Sequence, residues 1–310
     1  MSDKSESLTF ILPDQRTLEY ATYGVPAGEE QATVIYFHGT PGCHHEAELV
    51  HDQASREGLQ ILAINRPGFG RSSPHPHRTL LSFSQDVLAL VDHLGIQRFA
   101  MMAFSGGCPY ALTCLHAIPR SRIFHTTVVS GAYPYALGTD GMKLSNRVLL
   151  SVIQWVPRFL VAGVDYLLIG RLARDAAHPE RFTKALRLLF KNMPPEDQAA
   201  LAAEDGKVFK VAVEGARGGL QQGAQSTVEE LRLVSGPLGF DLADLKIEKG
   251  QLIMWHGAKD PNAPLEMAQK AASRIPGADL RVEKDLAHIS LCIFKRGEIL
   301  AALADAVRTL

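Results

Sequence analysis

The stretch Ala100–Leu112 (AMMAFSGGCPYAL) constrains the fold of this chain more than any other part of the sequence. The apolar run Phe99–Ala103 predicts a buried strand, and a helix-like pattern begins directly after Ser105. A serine at a strand-to-helix turn, with small residues two positions before and after it, is typical of a nucleophile elbow. Ala103 and Gly107 occupy those positions. Ser105 is therefore a candidate nucleophile, although Ser-Gly pairs also occur in ordinary glycine loops.

Strand-like and helix-like segments alternate on both sides of this turn. Because strands that alternate with helices form parallel sheets with crossover helices, the sequence predicts an α/β fold. We expect a mostly parallel eight-stranded sheet with flanking helices, and a hairpin formed by the first two strands. The predicted strands are Leu8–Leu12, Leu18–Tyr23, Thr33–Phe37, Leu59–Ile64, Phe99–Ala103, Thr126–Ser130, Gln251–Trp255 and Asp279–Val282.

The alternation stops in the middle of the chain. Residues 135–236 contain several helical patterns and no convincing strand. A helical block inserted into an α/β core predicts a cap over the ends of the strands. We therefore expect an α/β core of residues 1–134 and 237–310, and a helical cap subdomain of residues 135–236. Within the cap, helices are predicted at Arg181–Lys191, Pro195–Phe209 and Thr227–Val234.

The segment Val148–Ile169 is the most apolar part of the chain. It is interrupted by Gln154 and Pro157 and carries two charges, Arg158 and Asp165. A charge at the centre of a bilayer span is costly. The segment therefore predicts buried or half-buried cap helices and no membrane span. An apolar lid of this kind would suit an apolar substrate.

A serine hydroxyl needs a histidine to accept its proton and a carboxylate to orient that histidine. His288 follows the last predicted strand, where a loop histidine can reach the elbow. Asp260 follows the preceding strand, but an aspartate before a proline is also a common turn or N-cap residue. Asp285 is too close to His288 in sequence to orient it easily, and Asp241 precedes a strand. The favoured catalytic residues are thus Ser105, Asp260 and His288.

The segment 38–42 (HGTPG) follows the first buried strand. It is either a tight turn or one side of an oxyanion hole. In the second interpretation, the backbone N–H groups of Thr40 and Gly106 donate to the developing oxyanion. His38, Gly39 and Phe104, which adjoin these donors and the nucleophile, are predicted to contact substrate.

These motifs resemble those of the α/β-hydrolase superfamily, and the resemblance covers nearly the whole chain. The chain is most similar to capped serine hydrolases of the epoxide-hydrolase-like and proline-iminopeptidase-like branch. The resemblance implies an α/β-hydrolase fold with an inserted cap and a Ser-His-Asp triad. It rests on HGTPG at 38–42, NRPGFGRS at 65–72, AFSGGCPYAL at 103–112, GFDLADL at 239–245, WHGAKDPNAP at 255–264 and the histidine of AHISL at 287–291.

The chain departs from that pattern at several positions. Ala103 replaces the usual elbow glycine, and Asn65 stands where an aspartate is common. The nucleophile position holds Ser105, which disfavours epoxide hydrolase and haloalkane dehalogenase chemistry because both use a carboxylate nucleophile. No acidic cluster in the cap is assigned to a substrate amine, so aminopeptidase activity is a minor alternative.

The favoured function is hydrolysis of a carboxylic ester, lactone or thioester of a small, apolar metabolite. One alternative is a non-hydrolytic enzyme of the same fold that cleaves carbon–carbon bonds, acts as a lyase, or cyclises or isomerises a natural product. A second alternative is a ligand receptor with little turnover.

The amino-acid composition limits which kinds of partner the protein is expected to bind. With 32 basic and 33 acidic residues, the net charge of −1 indicates neither nucleic acid nor an anionic membrane as partner. The four cysteines are scattered without metal-ligand or dithiol spacing, so neither a metal nor another cofactor is predicted. Few cysteines and a polar start without an apolar signal region predict a cytoplasmic protein. A small-molecule substrate and a monomer or homodimer are expected.

Overall fold

The computed structural model describes residues 7–26, 28 and 32–308. Residues 1–6, the polar start of the sequence, and residues 309–310 lie outside this description.

All eight predicted strands form one sheet, in the order β1-β2-β4-β3-β5-β6-β7-β8. β1 pairs antiparallel with β2, and β2 antiparallel with β4. The strands from β3 to β8 are parallel to one another. This arrangement is the predicted mostly parallel sheet. The strands are β1 Ser7–Ile11, β2 Thr17–Gly24, β3 Ala32–Phe37, β4 Leu59–Ile64, β5 Phe99–Phe104, β6 Ile123–Val129, β7 Leu252–Gly257 and β8 Asp279–Glu283.

Thirteen α-helices accompany the sheet in the described part of the chain. They are α1 Glu48–Glu57, α2 Leu80–His93, α3 Cys108–Ala117, α4 Leu144–Val152, α5 Arg158–Leu167, α6 Ile169–Arg174, α7 Pro179–Phe190, α8 Pro195–Ala202, α9 Lys207–Gly219, α10 Gln225–Ser235, α11 Leu265–Arg274, α12 His288–Phe294 and α13 Arg296–Arg308.

Helices cover both faces of the sheet, so the central strands are buried on both sides. One apolar core lies between the sheet and α2, α3 and α11. The other lies between the sheet and α1 and α13. The fifth strand contributes Met101 and Ala103 to the first core and Ala100 and Met102 to the second, as the alternation of side chains along a strand requires. Packing on both faces of the sheet therefore holds the carboxyl ends of the parallel strands in fixed positions.

Two helix ends show how local sequence sets the boundaries. Helix α2 begins at Leu80, because the Thr79 hydroxyl accepts a hydrogen bond from the Ser82 N–H at 3.0 Å. The Ser82 hydroxyl in turn accepts from the Thr79 N–H at 3.0 Å, which completes a capping box. Helix α1 ends at Glu57, because the next residue, Gly58, has a φ of 71°, a left-handed conformation that glycine adopts without strain.

The stretch between β6 and β7, all of it described, contains helices and no strand, as predicted. The predicted helix Pro195–Phe209 is wrong in one respect, since it is two helices, α8 and α9. The break falls at Glu204, Asp205 and Gly206, which all have positive φ. Positive φ is incompatible with a continuing right-handed helix.

The apolar segment Val148–Ile169 differs from its prediction more strongly. Ile153 and Val161 are buried, but most of its other large apolar side chains face outward, including Trp155 at 85% exposed and Phe159 at 73%. The segment packs on the rest of the molecule through few of its residues, and no described element covers its outer side. None of the helices described is both long and apolar enough to span a membrane.

Candidate active site

Ser105 lies at the turn between β5 and α3, as the sequence predicts. Its φ is 51°, a strained conformation for a residue with a side chain. The turn is tight, because a Cβ atom placed on Gly107 would lie 2.3 Å from the Phe37 carbonyl oxygen. Ala103, the other small residue, is fully buried. The backbone therefore requires small neighbours here and presents the Ser105 hydroxyl at the end of β5.

His288 is adjacent to this hydroxyl. Its Nε2 atom lies 2.9 Å from the Ser105 Oγ atom. The sequence placed His288 in a loop, whereas it is the first residue of the short helix α12. The run HISLCIF has apolar residues on most sides, and its helical period was therefore not visible in the sequence. Helix α12 fixes the direction in which His288 leaves the backbone.

Asp260 completes a hydrogen-bonded chain, since its Oδ2 atom lies 2.7 Å from His288 Nδ1. Its Oδ1 atom accepts from the N–H groups of Asn262 and Ala263, at 2.8 and 3.0 Å. Asp260 is thus both the turn aspartate and the histidine partner that the sequence left as alternatives. The structure brings Ser105, His288 and Asp260 together.

The electrostatics of the pair favour an ionised Asp260. Burial acts to raise the pKa of this carboxyl, but His288 and the backbone donors outweigh it, so the pKa is lowered. Burial likewise acts to lower the pKa of His288, and the Asp260 carboxylate outweighs it, so that pKa is raised. Because an ionised carboxylate can only accept hydrogen bonds, the Nδ1 atom of neutral His288 carries the proton. Its Nε2 lone pair then faces the serine hydroxyl.

Thr40 and Gly106 lie side by side. A Cβ atom placed on Gly106 would lie 3.5 Å from the Thr40 backbone nitrogen and 2.3 Å from its hydroxyl oxygen. Within the described part of the chain, neither backbone N–H donates a hydrogen bond. Two free N–H groups next to Ser105 are what an oxyanion hole requires.

The three predicted substrate contacts lie in different environments. Phe104 is half-buried, and its ring centroid lies 5.2 Å from that of His288. Gly39 is adjacent, since a Cβ atom placed there would lie 3.1 Å from the Phe104 ring. His38 is fully buried and packs edge-on against Phe69. Burial, followed by the charge of Arg66, lowers the pKa of His38 well below its usual value. Its role in substrate binding stays a prediction.

Two carboxylates that the sequence did not single out, the half-buried Glu46 and the buried Glu230, hold the loop 38–40. The Gly39 N–H donates to Glu46 Oε1 at 2.9 Å, and the Tyr36 hydroxyl donates to the same oxygen at 2.7 Å. On the other side, the Thr40 hydroxyl donates to Glu230 Oε1 at 2.8 Å. Glu230 belongs to α10 and is fully buried.

Two buried arginines accompany Glu230. Arg66 Nε donates to Glu230 Oε1 at 2.7 Å, and Arg78 donates to Oε2 at 3.1 Å. Arg66 also donates to the His38 and Gly39 carbonyl oxygens, at 2.6 and 3.0 Å. The sequence offered one signal for this network, namely Arg66 in the glycine- and proline-containing loop NRPGFGRS. For Glu230 there was none, because Glu229-Glu230 on a helix is typical of a solvated face.

A third carboxylate, the fully buried Asp197 of α8, supports the start of α12. Its Oδ1 atom accepts from the N–H groups of Ile289 and Ser290, at 2.9 and 2.8 Å. These are first-turn amides of the helix that carries His288, and such groups have no partner within their own helix. Asp197 thus links the helical insertion to the position of His288.

Fold and site together define a class of protein. Residues 32–292, which make up most of the chain, match the α/β hydrolase fold family. The chain therefore belongs to the α/β hydrolase fold family. Among curated proteins, an uncharacterized hydrolase, YcgS of Bacillus subtilis, is 29% identical over 109 residues. The matched region spans 35% of each chain, so this chain matches about a third of that relative's length.

Solved structures show the same fold over the whole chain. A hydrolase from Pseudomonas aeruginosa has a TM-score of 0.66 at 16% identity, covering 98% of this chain and 99% of that one. An esterase from Exiguobacterium antarcticum has a TM-score of 0.64 at 16% identity, covering 97% and 98%. An enol-lactonase from Burkholderia xenovorans has a TM-score of 0.61 at 18% identity, covering 97% and 100%. At these identities the likeness establishes the fold.

Proposed function

We propose that this chain is a serine hydrolase that cleaves a carboxylic ester, lactone or thioester of a small, apolar metabolite. The observation that carries the proposal is the chain of hydrogen-bond distances from Ser105 to His288 (2.9 Å) and from His288 to Asp260 (2.7 Å). Such a chain supplies a nucleophile, a general base and a group that orients the base. The esterase and lactonase activities named for two structural neighbours agree with this reaction class.

The reaction follows from the atoms in contact. Ser105 Oγ attacks the carbonyl carbon of the substrate while its proton passes to His288 Nε2. Asp260 accepts the hydrogen bond from Nδ1 and stabilises the imidazolium that forms. His288 then donates the proton to the leaving oxygen or sulfur, and the acyl group stays on Ser105. A water molecule, deprotonated by His288, releases the acid by the same route.

The negative charge that develops on the carbonyl oxygen faces the Thr40 and Gly106 N–H groups. Backbone donors of this kind are already oriented before the reaction, and removing one donor from such a site typically costs about 2.7–4 kcal/mol. The Phe104 ring beside His288 supplies an apolar wall for the acyl or leaving group. The helical residues 135–236 act in this proposal as a cap subdomain above the core.

A fluorophosphonate probe tests the nucleophile directly. We expect the purified full chain to be labelled at Ser105, and to hydrolyse p-nitrophenyl esters with a preference among acyl chain lengths. Ser105→Ala should abolish labelling and lower kcat by at least about 10⁴-fold, because the residues of a triad act as one unit.

The matched control is Ser273→Ala, which removes an exposed serine from the end of α11 and should change neither readout. Folded wild-type protein that is neither labelled nor active on an ester panel would refute the proposal. Conversion of a substrate by Ser105→Ala at the wild-type rate would instead support acid–base chemistry without an acyl-enzyme.

A further inference from the structure

Helices α4 and α5 expose apolar side chains in a regular pattern. On α4, Leu144, Val148, Leu149 and Val152 follow the spacing i, i+4, i+5 and i+8, which places them on one helix face. All four are exposed. On α5 and the residue after it, the same kind of face is formed by Phe159, Leu160, Val164, Leu167 and Leu168, all exposed.

Both helices pack on α10, and the short turn Ile153–Trp155, which also contacts α10, follows α4 directly. The connecting turn adds Trp155, and Tyr166 of α5 is 74% exposed. We call the exposed apolar residues of 144–169 the apolar face. Single-chain proteins rarely expose a contiguous apolar surface of this kind unless it binds something.

The charges around the apolar face indicate what it binds. Residues 140–175 contain five basic residues, Lys143, Arg147, Arg158, Arg171 and Arg174, and three acidic residues, Asp140, Asp165 and Asp175. The net charge of the whole chain, −1, by itself indicates no anionic membrane as partner, but it does not describe this part of the surface. Three ion pairs involve these residues: Asp165 with Arg174 at 2.7 Å, Asp175 with Arg181 at 3.6 Å, and Arg158 with Glu229 of α10. Arg147 and Arg171 are exposed and have no carboxylate partner among the described residues.

We propose that the apolar face docks on the surface of an anionic lipid bilayer. Helices that lie in a bilayer interface combine an apolar face with basic flanks, and exposed Trp and Tyr side chains suit the headgroup level. A second copy of this chain is disfavoured, because a self-complementary contact between two such faces would offer Arg147 and Arg171 no unpaired carboxylate from Asp165 or Glu229. The docking is independent of the proposed hydrolysis.

Vesicle sedimentation with the full chain tests the docking. We expect binding to phosphatidylcholine vesicles containing phosphatidylglycerol, weaker binding to pure phosphatidylcholine, and further weakening as salt is added. The chain has two tryptophans, and Trp255 is 5% exposed whereas Trp155 is 85% exposed. Binding should therefore shift the tryptophan emission to shorter wavelength, and Trp155→Phe should remove the shift.

Variants separate the apolar from the charged contribution. Phe159→Glu with Leu167→Glu should weaken binding at least tenfold, whereas Ile11→Glu with Phe294→Glu, at exposed apolar positions outside this face, should not. Arg147→Ser with Arg171→Ser should weaken binding to anionic vesicles about tenfold to thirtyfold, because each basic residue near such a surface contributes about 1 kcal/mol. Arg56→Ser with Arg120→Ser makes the same charge change at exposed positions elsewhere.

Two results would overturn the docking proposal. One is wild-type protein that does not sediment with anionic vesicles at physiological salt. The other is a dimer in light scattering that Phe159→Glu with Leu167→Glu converts to monomer, since a second copy would then cover the apolar face.

A separate observation, the burial of Glu230, carries a second inference. Both oxygens of this carboxylate have partners: Thr40 and Arg66 at Oε1, Arg78 and Tyr110 at Oε2. A carboxylate with this many donors and no exposed surface is not free to bind a substrate amine. Its contacts lead instead to the loop 38–40.

We infer that Glu230 is a positioning residue that holds Thr40, and thus the Thr40 N–H, in register with Gly106. This inference rests on the proposed function. Arg66 bridges the same carboxylate to the His38 and Gly39 carbonyl oxygens, so that the loop is fixed on both sides of Thr40. Because Glu230 lies on α10, displacement of that helix would disturb the oxyanion donors without touching Ser105.

Thr40→Val tests this inference, since it removes the hydroxyl contact but leaves Glu230 paired with both arginines. We expect kcat to fall about tenfold with KM and the thermal midpoint unchanged, and Thr40→Ser to restore kcat. Glu230→Gln should lower kcat further. Because this change also leaves the buried charges of Arg66 and Arg78 without a counter-charge, its kcat is interpreted only together with that of Thr40→Val.

The outcomes distinguish this inference from the proposed function. If wild type hydrolyses esters in a Ser105-dependent manner and Thr40→Val keeps its kcat, Glu230 does not position the loop. A wild type without hydrolysis would overturn both the proposed function and this role.

Discussion

At the scale of single residues, the contact between His288 and Asp260 sets the expected pH dependence. His288 must be neutral to accept the Ser105 proton, so activity should fall as pH decreases through its pKa. Because that pKa is raised, the acidic limb of kcat/KM should lie above the ordinary histidine value of about 6.5. Asp260→Asn should move this limb to lower pH and lower kcat by about 10⁴-fold, as loss of the orienting carboxylate does in other triads.

A pH–rate profile of wild type and Asp260→Asn checks this prediction. Asp285→Asn is the matched control, because Asp285 is 91% exposed at its side chain and lies three residues from His288. The assignment of Asp260 as the orienting residue would be wrong if Asp285→Asn, and not Asp260→Asn, shifted the limb.

Chain order was sufficient to predict which of these residues meet, because the carboxyl ends of parallel strands lie at one edge of a sheet. The same reasoning could not find Glu230, Glu46 or Asp197. Charged residues are by default solvated, and nothing local marks a carboxylate whose donors lie as far away as the 190 residues between Thr40 and Glu230.

At the scale of elements, Asp197 is expected to stabilise the start of α12. Asp197→Ala leaves the Ile289 and Ser290 N–H groups without their acceptor, which typically costs about 1–3 kcal/mol for buried groups. We expect a lower midpoint of urea unfolding and a lower kcat/KM, since α12 carries His288.

Asp197→Asn separates the two effects. It keeps the Oδ1 acceptor and removes a negative charge that contributes to the raised pKa of His288. It should therefore retain most of the stability and move the acidic limb to lower pH. Asp140→Ala, at an exposed position, controls for loss of a negative charge. Equal stability of Asp197→Ala and wild type would contradict a capping role.

Six of the eight strands were predicted to within one residue at each end, whereas β6 begins three residues before its prediction and β7 ends two residues after it. The central strands were the clearest, because a strand buried on both faces is a continuous apolar run. The helices inserted between β6 and β7 were less predictable. Their apolar periodicity indicated helices, but periodicity does not say what an apolar stripe faces. Val148–Ile169 was therefore predicted as buried or half-buried helices, whereas most of its large apolar side chains are exposed in the assembled structure.

At the scale of the whole molecule, the four cysteines report on how cooperatively the chain unfolds. Cys108 and Cys114 belong to the core on one side of the sheet, and Cys292 to the core on the other. Cys43 packs against α9, since a Cβ atom placed on Gly218 would lie 2.5 Å from its Sγ atom. All four are free and buried, and burial raises the pKa of Cys43 and of Cys292 to about 12.

Because the thiolate is the reactive form, the native protein should not react with a disulfide reagent at neutral pH within minutes. The insertion is tied to the core through Glu230, Asp197 and the Cys43 contact, so we expect all four thiols to become reactive in one guanidinium transition. Leu167→Cys, at a 65% exposed position, is the positive control and should add one thiol that reacts at once. Reaction of Cys43 well before Cys114 would instead show that the helical insertion detaches while the sheet stays folded.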